Sequence, residues 1–435
     1  MRSLLGLLLL CACTAPEDDG PARPGETSGA TDPTTTVETL TDTDPTDTDT
    51  TPTDTGDPTD TTPTEPAEEY PKSCSSLYDQ DIVPVVSFDI APEDWSGFAS
   101  DCRNYAQNYR PVTVTWDGEV VSAKARLKGN WSWSCDKYQF VLSFNEDDPA
   151  GRFHGVRKTM LDAPWYDQTF LHERVGFSLF EARGLPYSCV NNARLIVNGS
   201  DYGVYSNVER IDEEYLERHY EEKDGDLYQA GTELKTNEDT ADSTRIDALH
   251  AAQTVDEIAA LVNLDQAVAE WAMEAMIPAL DNYWAGVEIN YYLYDHPSRG
   301  FEYLPYDLDI SFGDTAYTDG SLVWPDALTV DPITWQHSGW GKEALVMTVL
   351  SDPAWCARFV EEVAAARAVY DADALVARLD TYEAQIADAV AGDRRKPFST
   401  EAHTASVADL RAFFAQRAQV VDDWLAVGGH CPARW

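Results

Sequence analysis

Alternating apolar and polar positions along the first half of the chain predict β-strands. Two dipeptides, Asp117-Gly118 and Asn198-Gly199, interrupt such alternations, and both favour the positive φ angles of two-residue hairpin turns. Each therefore predicts a hairpin. The strands and hairpins predicted in this way cover residues 83–88, 111–129, 137–144, 193–212 and 226–231.

Apolar residues at helical spacing predict helices between and after these strands. Residues 168–186 are predicted to form one helix, which Asp167 can cap at its start and which Gly184 and Pro186 end. Residues 264–280 carry the clearest apolar stripe, and most of the chain after about residue 340 has the same character. The pattern predicts an α+β chain: a β-rich first half, then a helical half that contains one further hairpin.

The first residues follow a different pattern, MRSLLGLLLLCAC, with Arg2 before a run of leucines. This is typical of a secretory signal peptide, assigned to residues 1–12, and its apolar core is too short to span a bilayer as a helix. The end of the segment is similar to a bacterial lipobox, which predicts cleavage before Cys13 and lipid on its sulfur. Cys11 is a weaker candidate because the bulky Leu10 precedes it. The alternative is an ordinary signal peptide in which Cys13 is incidental.

Residues 13–70 are predicted to be a disordered Thr/Asp/Pro-rich tether. Residues 14–70 carry 16 acidic residues and one basic residue, with few apolar ones, so they cannot offset the entropy cost of ordering. Residues 71–435 are predicted to fold, with a small β-rich lobe at about 71–235 and a helical lobe at about 236–435. The folded part is also acidic, which argues against nucleic acid as a partner.

Six cysteines follow the signal segment, and no two of them form a CxxC pair, so a zinc site is not expected. An even number of cysteines in an exported protein indicates disulfides. Cys74 and Cys102 are a plausible local pair, and the pairing of the others stays open. The six are Cys74, Cys102, Cys135, Cys189, Cys356 and Cys431.

Two aspartates stand one residue apart in an apolar, aromatic stretch, PYDLDISFG (305–313). Asp307 and Asp309 are predicted on one face of the second strand of the hairpin in the helical half. Asn290 is predicted on the first strand, and Asp281 lies at the hairpin entrance, directly after the helix 264–280. This order predicts that the three aspartates and Asn290 reach a common region. Asn282 is a rival to Asn290 as a metal ligand.

The order helix, acid, asparagine, hairpin, acid, Phe-Gly is the order that protein kinases use for their catalytic and metal-binding residues. Carboxylates suit this chemistry because Mg²⁺ prefers hard oxygen ligands. The cation that faces the phosphates would come from Lys128 or Lys137, which flank the turn NWSWSCD. No GxGxxG motif is present near this turn, only Gly129, so a phosphate-covering turn here would be atypical.

Five stretches in order resemble the CotH kinases, named after spore coat protein H, which are secreted atypical kinases. They are ARLKGNWSWSCDKYQFVLSF, DQTFLHERVGFSLFEARGLP, ARLIVNGSDYGVYSNVERID, DNYWAGVEINYYLY and LPYDLDISFG, and they span roughly residues 110–315. The resemblance implies an atypical protein-kinase-like fold, ATP, Mg²⁺ or Mn²⁺, and phosphorylation of an exported protein on Ser or Thr.

The same resemblance assigns roles to individual residues. Asp281 falls on the catalytic aspartate, Asp307 (with Asp309 as the alternative) on the metal-binding one, and Lys137 on the strand cation. The chain departs from the usual family pattern in two places. Tyr306 stands where a Trp is usual, and Trp131 stands where a Ser is frequent, so the nucleotide turn is predicted to carry a bulkier side chain than the family pattern has.

Two other charged residues are candidates with plainer alternatives. Glu209 is a candidate partner for the cofactor-binding lysine, or else forms a structural salt bridge. Arg174 is expected either to brace the site or to face solvent. A DxD pair on its own is more typical of a surface loop or a calcium-type feature, and only the hairpin order favours a catalytic role.

Three functions of different classes fit the sequence. The first is an ATP- and metal-dependent protein kinase that is exported and lipid-anchored to the bacterial cell envelope. The second is a catalytically degenerate kinase fold that serves as a surface binding or adhesion module. The third is a metal-dependent hydrolase of phosphate esters that uses Asp307 and Asp309, and this function leaves Lys137 without a task.

Overall fold

The computed structural model describes most of the predicted folded part of the chain: residues 72–130, 132–163, 165–286, 289–313, 328–333 and 343–432. The predicted signal peptide, Cys13, the tether and Trp131 lie outside the described residues.

Seven strands close into a barrel in the first half of the described chain. They are β1 (Val85–Asp89), β2 (Arg110–Trp116), β3 (Glu119–Lys128), β4 (Gln139–Ser143), β5 (Lys158–Asp162), β6 (Val190–Val197) and β7 (Ser200–Glu209). Their order around the barrel is β1-β2-β3-β4-β5-β7-β6. Neighbouring strands are antiparallel except β1 and β6, which pair in parallel and close the barrel.

The two predicted tight hairpins are confirmed. Trp116 pairs with Glu119 across Asp117-Gly118, and both turn residues have positive φ angles, 45° and 90°. Val197 pairs with Ser200 across Asn198-Gly199, with φ angles of 48° and 75°. These are the conformations that match the right-handed twist of two antiparallel strands, so the local sequence sets the register of both hairpins.

Strand β4 shows how the barrel sits against the rest of the protein. Phe140 and Leu142 belong to the apolar cluster of the barrel, whereas Val141, on the opposite face, belongs to the cluster formed with the helices. Successive side chains of a strand point to opposite faces. Both faces of β4 are therefore buried, which explains why its sequence is nearly continuous in apolar residues.

Ten helices are described, and most lie in the second half of the chain. They are α1 (Pro92–Asn104), α2 (His172–Arg183), α3 (Glu213–His219), α4 (Thr244–Ala251), α5 (Val255–Ala259), α6 (Leu264–Met276), α7 (Ala344–Leu350), α8 (Pro353–Val369), α9 (Ala372–Gly392) and α10 (Thr400–Ala426). No helix within these described segments is both long and apolar enough to cross a membrane. The mixed α+β class predicted from the sequence is confirmed.

Two helix boundaries differ from the predicted ones. Helix α2 begins at His172 rather than at residue 168, because the Asp167 carboxylate accepts bonds from the backbone N–H groups of Thr169 (2.7 Å) and His172 (2.8 Å) and holds a turn before the helix. Helix α1 was not predicted. Its hydrophobic spacing is weak, and only Phe98, Asp101 and Cys102 are buried.

A second sheet of four strands joins two short strands that precede residue 236 to the predicted hairpin of the helical half. Its strands are β8 (Asp226–Gln229), β9 (Glu233–Leu234), β10 (Tyr291–His296) and β11 (Gly300–Pro305), in the order β11-β10-β8-β9. The predicted hairpin forms, with Tyr291 paired to Pro305 at its open end. The placement of the polar residues on its strands was wrong: Asn290 lies just before β10, and Asp307 and Asp309 lie beyond the end of β11. All three therefore sit at the open end of the hairpin.

Three disulfides form among the described residues: Cys74–Cys189, Cys102–Cys135 and Cys356–Cys431. The predicted Cys74–Cys102 pair is wrong. Cys189 lies directly before β6, next to the start of the described chain in space, whereas Cys102 on α1 faces the turn between β3 and β4. Spatial neighbours in a barrel are remote in sequence, so nearness along the chain was a poor guide to the pairing.

Lys137 and Asp393 form a buried ion pair between the barrel and the end of α9. Their side chains are 1% and 0% exposed, and Lys137 Nζ lies 2.7 Å from Asp393 Oδ2 and 2.7 Å from Val204 O. Asp393 also accepts bonds from the backbone N–H groups of Val204 (3.1 Å) and Arg395 (2.8 Å). Burial lowers the pKa of Lys137 against the attraction of Asp393. This lysine therefore serves to dock the helical half onto the barrel.

Lys137→Met should destabilise the protein by about 3–5 kcal/mol, because it leaves the Asp393 carboxylate buried without its cation. The matched control is Lys124→Met, which breaks an ion pair with the exposed Asp147 and should cost about 0–1 kcal/mol. Urea denaturation measures both. Equal losses in the two variants would show that the buried pair does not hold the two halves together.

Candidate active site

The loop after α6 is fixed to the segment after β11 by backbone hydrogen bonds. Leu280 N–H donates to Ile310 O (2.8 Å), and Phe312 N–H donates to Ile277 O (2.7 Å). These bonds bring the loop that carries Asp281 next to the segment that carries Asp307 and Asp309. The proximity predicted from the sequence is therefore present, although it comes from two loops rather than from two strands.

Helix α6 ends just before this loop, and a residue from the tail caps it. The fully buried guanidinium of Arg417, on α10, donates to the carbonyl oxygens of Ala275 (2.7 Å) and Met276 (3.2 Å). A cation at the C-terminal end of a helix also interacts favourably with the negative end of the helix dipole. The start of the loop that leads to Asp281 is thus held by a residue more than a hundred positions away.

Two residues other than glycine in the Asp307–Gly313 segment have left-handed backbone conformations. The φ angles of Asp307 and Phe312 are 53° and 57°. Aspartate tolerates this region, but a phenylalanine there is strained. Phe312 is 3% exposed and lies 5.5–5.8 Å, centroid to centroid, from the rings of His172, Phe413 and Phe414. Packing thus holds a strained turn directly after the two aspartates, as is frequent at functional sites.

Helix α2 also contacts this segment. His172, its first residue, is 2% exposed, and its Nδ1 lies 2.8 Å from the carbonyl oxygen of Asp309. A carbonyl only accepts, so Nδ1 carries the proton and donates. The start of α2 is therefore hydrogen-bonded to the backbone of Asp309, three residues before Phe312.

Asn290 and Asp281 are in direct contact. Asn290 Nδ2 donates to Asp281 Oδ2 at 2.8 Å. The other carboxylate oxygen, Asp281 Oδ1, is buried and has no hydrogen-bond partner among the residues that the structure describes. An acceptor left without a partner inside a protein is costly, so the free oxygen marks a place for a donor or a cation.

The three aspartates disturb one another's titration. Burial raises the pKa of Asp281 well above its usual value, and the charge of Asp307 raises it further. Burial and the charges of Asp307 and Asp281 do the same for Asp309. The pKa of Asp307 is raised by burial and by Asp162, although Lys128 opposes the shift. More negative charge is gathered here than the described cations balance, and such sites favour metal ions.

Lys128 is the lysine that faces these acids. It lies at the end of β3, its side chain is 12% exposed, and it forms an ion pair with Asp162 at the end of β5. Burial lowers the pKa of Lys128, but the attraction of Asp162 and then of Asp307 outweighs burial, so the pKa lies above its usual value. Lys128 is therefore a charged ammonium at neutral pH.

Sequence reasoning missed two acids of this group, Asp162 and Glu173. Glu173, in the first turn of α2, is 6% exposed, and burial together with Asp307 and Asp162 raises its pKa well above the usual value. An acid in the first turn of a helix is ordinary because it suits the dipole. Its sequence position therefore carried no sign of a second task. Asp162 is the last residue of a mostly buried strand, and an acid in that position is only a weak indication of a functional role.

The structure does not bring the other predicted site residues to this group. Lys137 binds Asp393, as described above. Glu209 lies 2.5 Å from Arg218 and accepts the backbone N–H of Cys189 (2.9 Å), which is the structural salt-bridge alternative. Arg174 is 2% exposed, with its guanidinium 3.5 Å from the centre of the Tyr382 ring, so it neither faces solvent nor touches the aspartates.

The donor atoms suit a hard divalent cation. Carboxylate and amide oxygens are what Mg²⁺ and Mn²⁺ prefer, and Asp281 Oδ1 is buried without a described partner. Within the described segments, no three His, Cys, Asp or Glu side chains already form a metal cluster. Mg²⁺ does not require one, since one or two carboxylates usually hold it together with substrate phosphates. The residues therefore fit such an ion in donor type.

A sequence model of the family described as CotH kinase protein matches residues 125–421, which is more than half of the chain. This protein belongs to the CotH kinase family. The match confirms the resemblance drawn from the five stretches and extends it through the helical tail of this CotH kinase-family protein. No curated protein matches the chain.

Two solved structures are reported for comparison. The Helicobacter pylori proinflammatory kinase CtkA matches with 9% identity and a TM-score of 0.36, over 69% of this chain and 95% of that one. The HipA, HipB and operator DNA complex of the Shewanella oneidensis MR-1 toxin-antitoxin system matches with 14% identity and a TM-score of 0.30, over 68% and 69%. At these TM-scores neither likeness carries an argument about this protein.

Asp309→Asn should stabilise the metal-free protein at mildly alkaline pH. Burial and Asp307 raise the pKa of Asp309, so its stabilising contribution is fully present below the unfolded-state pKa of about 3.9 and is lost as pH rises through the folded-state value. The neutral amide removes that loss. Urea denaturation with a chelator, from acid to alkaline pH, should show a gain that shrinks toward acid.

The matched control for this pH series is Asp147→Asn, because the side chain of Asp147 is 79% exposed. It should change the unfolding free energy little at any pH. A gain for Asp309→Asn that is the same at all pH values would contradict the electrostatic explanation.

Proposed function

We propose that this CotH-family protein is an ATP-dependent protein kinase that transfers the γ-phosphoryl group to Ser or Thr of an exported protein. The observation that carries the proposal is the convergence of Asp281, Asp307 and Asp309 with Lys128 at the open end of the β10–β11 hairpin. A lysine opposite paired carboxylates supplies the charges that phosphoryl transfer needs.

Asp281 is proposed as the catalytic residue that positions the substrate hydroxyl and accepts its proton. Asn290 holds Oδ2 of this carboxylate at 2.8 Å, and Oδ1 is the atom that has no described partner. A carboxylate with one oxygen fixed and the other available is oriented for a single acceptor. Its raised pKa makes it a stronger base than an ordinary aspartate.

Asp307 and Asp309 are proposed to hold Mg²⁺ or Mn²⁺. Asn290 uses its nitrogen for Asp281, so its side-chain oxygen is the atom that would serve the metal. When bound, the ion neutralises charge on the phosphate oxygens. The left-handed backbone of Asp307 and the packing around Phe312 fix the direction of the segment before any ligand arrives.

Lys128 is proposed as the cation that contacts the nucleotide phosphates, in place of Lys137. It extends from the end of β3, directly before Gly129, whose φ angle of 117° excludes most other residues. The ion pair with Asp162 orients Lys128, and the charges of Asp162, Asp307 and Glu173 raise its pKa. Kinases orient their phosphate-binding lysine with an acid from a neighbouring helix, and Glu173 on α2 is suited to that task.

The three disulfides support a location in an oxidising compartment outside the cytosol. We extend this to export by the N-terminal signal and to a lipid anchor on Cys13, with the tether lifting the folded part from the membrane surface. The kinase proposal is preferred to a phosphate-ester hydrolase because Lys128 has a place beside the acids, and a hydrolase would leave it without a task.

Asp281→Ala should lower the rate of phosphoryl transfer by about 10²–10⁴-fold while Mg-ATP binding persists, because the residue acts on the hydroxyl and not on the nucleotide. Asp307→Ala should instead weaken metal-dependent nucleotide binding. Labelled ATP with Mg²⁺ or Mn²⁺ measures transfer, and calorimetry measures binding. Exposed Asp147→Ala is the control, and full activity in both site variants would refute the assignment.

Lys128→Met should weaken ATP binding by about tenfold or more, as loss of a charged contact costs about 1.5–3 kcal/mol. Lys137→Met should leave the ATP affinity of the folded fraction unchanged, because its ammonium is used by Asp393. Calorimetric titration at a temperature where both variants are folded separates the two lysines. Loss of ATP affinity in Lys137→Met alone would restore the role inferred from the family resemblance.

A further inference from the structure

We propose that Asn282 is a positioning residue that sets the spacing of the three functional segments of the site. The inference rests on the proposed function for its catalytic consequence, although the contact itself does not depend on that function. Asn282 follows Asp281 directly, and its side chain is 0% exposed. It is the residue that the sequence offered as an alternative metal ligand to Asn290.

The amide nitrogen of Asn282 joins the two chain segments at the open end of the β10–β11 hairpin. Asn282 Nδ2 donates to Asn290 O at 2.8 Å and to Tyr306 O at 2.8 Å. An asparagine NH₂ group has two hydrogens, so both donors are used. One acceptor belongs to Asn290, which itself holds Asp281. The other belongs to the residue directly before Asp307. Asn282, which follows Asp281 in the chain, thus connects Asn290 with Tyr306, the residue before Asp307.

The orientation of the amide follows from the chemistry of its partners. Both partners are carbonyl oxygens, which only accept, so exchanging the oxygen and nitrogen of Asn282 would set three acceptors against one another. In the observed orientation, Asn282 Oδ1 is buried and has no partner among the described residues. The two donors account for this orientation whatever Oδ1 meets, so the bridging role rests on the contacts to Asn290 and Tyr306.

No other side-chain type serves this position equally well. Aspartate has the same shape but no donors when ionised, and it would add a fourth carboxylate beside three whose pKa values are already raised. Glutamine is one methylene longer and would push the two carbonyls apart. The backbone bonds from Leu280 to Ile310 and from Phe312 to Ile277 fix the far side of the same loop, and Asn282 fixes the near side.

The test compares Asn282→Asp with Asn207→Asp in the full folded protein. Asn207 is also 0% exposed, and its Nδ2 also donates twice, to Leu77 O (2.9 Å) and Asn191 Oδ1 (2.9 Å), but it lies in the barrel. Both substitutions remove a buried double donor and add a charge. Loss of stability is expected in both, so stability alone decides nothing.

In Asn282→Asp, kcat should fall about 10²-fold, as expected when reacting groups move by about an ångström. The Mg²⁺ concentration for half-maximal activity should rise about tenfold, because partners that orient metal ligands cost about that much in affinity. In Asn207→Asp both quantities should stay near the unsubstituted values in the folded fraction. Unchanged kcat and Mg²⁺ dependence in Asn282→Asp would overturn the proposal, and tighter Mn²⁺ binding would make Asn282 a ligand.

A measurement that does not depend on catalysis distinguishes a failure of the positioning role of Asn282 from a failure of the proposed kinase function. Hydrogen exchange of residues 277–286 and 304–312 should accelerate in Asn282→Asp and not in Asn207→Asp. If the unsubstituted protein transfers no phosphate and binds no Mn²⁺, the proposed function fails. The exchange rates still decide whether Asn282 joins the segments. Equal exchange in the two variants would overturn the bridging role.

Discussion

The site depends on an electrostatic constraint: several carboxylates are held close together in a partly buried place with one described lysine among them. Burial and mutual repulsion raise the pKa values of Asp281, Asp307 and Asp309, and Lys128 opposes the shift of Asp307. Without ligands such an arrangement costs free energy. It persists because backbone bonds between the two loops, the buried Asn282 amide and the packing of Phe312 hold the segments that carry the acids.

The barrel, helix α2 and the helical half each contribute residues that surround the three aspartates. The barrel supplies Lys128 and Asp162 from the ends of β3 and β5, the two strands that flank β4, and α2 supplies Glu173 together with the His172 contact to Asp309. The helical half supplies Asp281 at the end of α6, where Arg417 from the tail fixes the helix terminus. Groups from the β-rich half and from the helical half thus meet around the aspartates.

The two lysines that flank the β3–β4 turn show how position and task can separate. In sequence, Lys128 and Lys137 are equivalent candidates, and family resemblance favoured Lys137. In space, Lys137 joins the barrel to Asp393 at the end of α9, with both side chains almost wholly buried. Lys128 remains beside the acids. Lys137, which joins the two halves through Asp393, and Lys128, which is proposed to contact a ligand, are therefore different residues of one short segment.

The sequence by itself determined the mixed α+β class, the two tight hairpins, the order of acid, asparagine and acid around the β10–β11 hairpin, and the family. These follow from local turn chemistry, from periodicity and from motif order, all of which act over short stretches of chain. Only the tertiary structure decided the disulfide pairs, the ion-pair partners of Lys128, Lys137 and Glu209, and the nearness of Glu173 and Asp162 to the aspartates. These contacts join residues that are far apart in the sequence and that only the closed barrel and its docked helices bring together. A pattern within a short stretch of chain carries no information about such contacts.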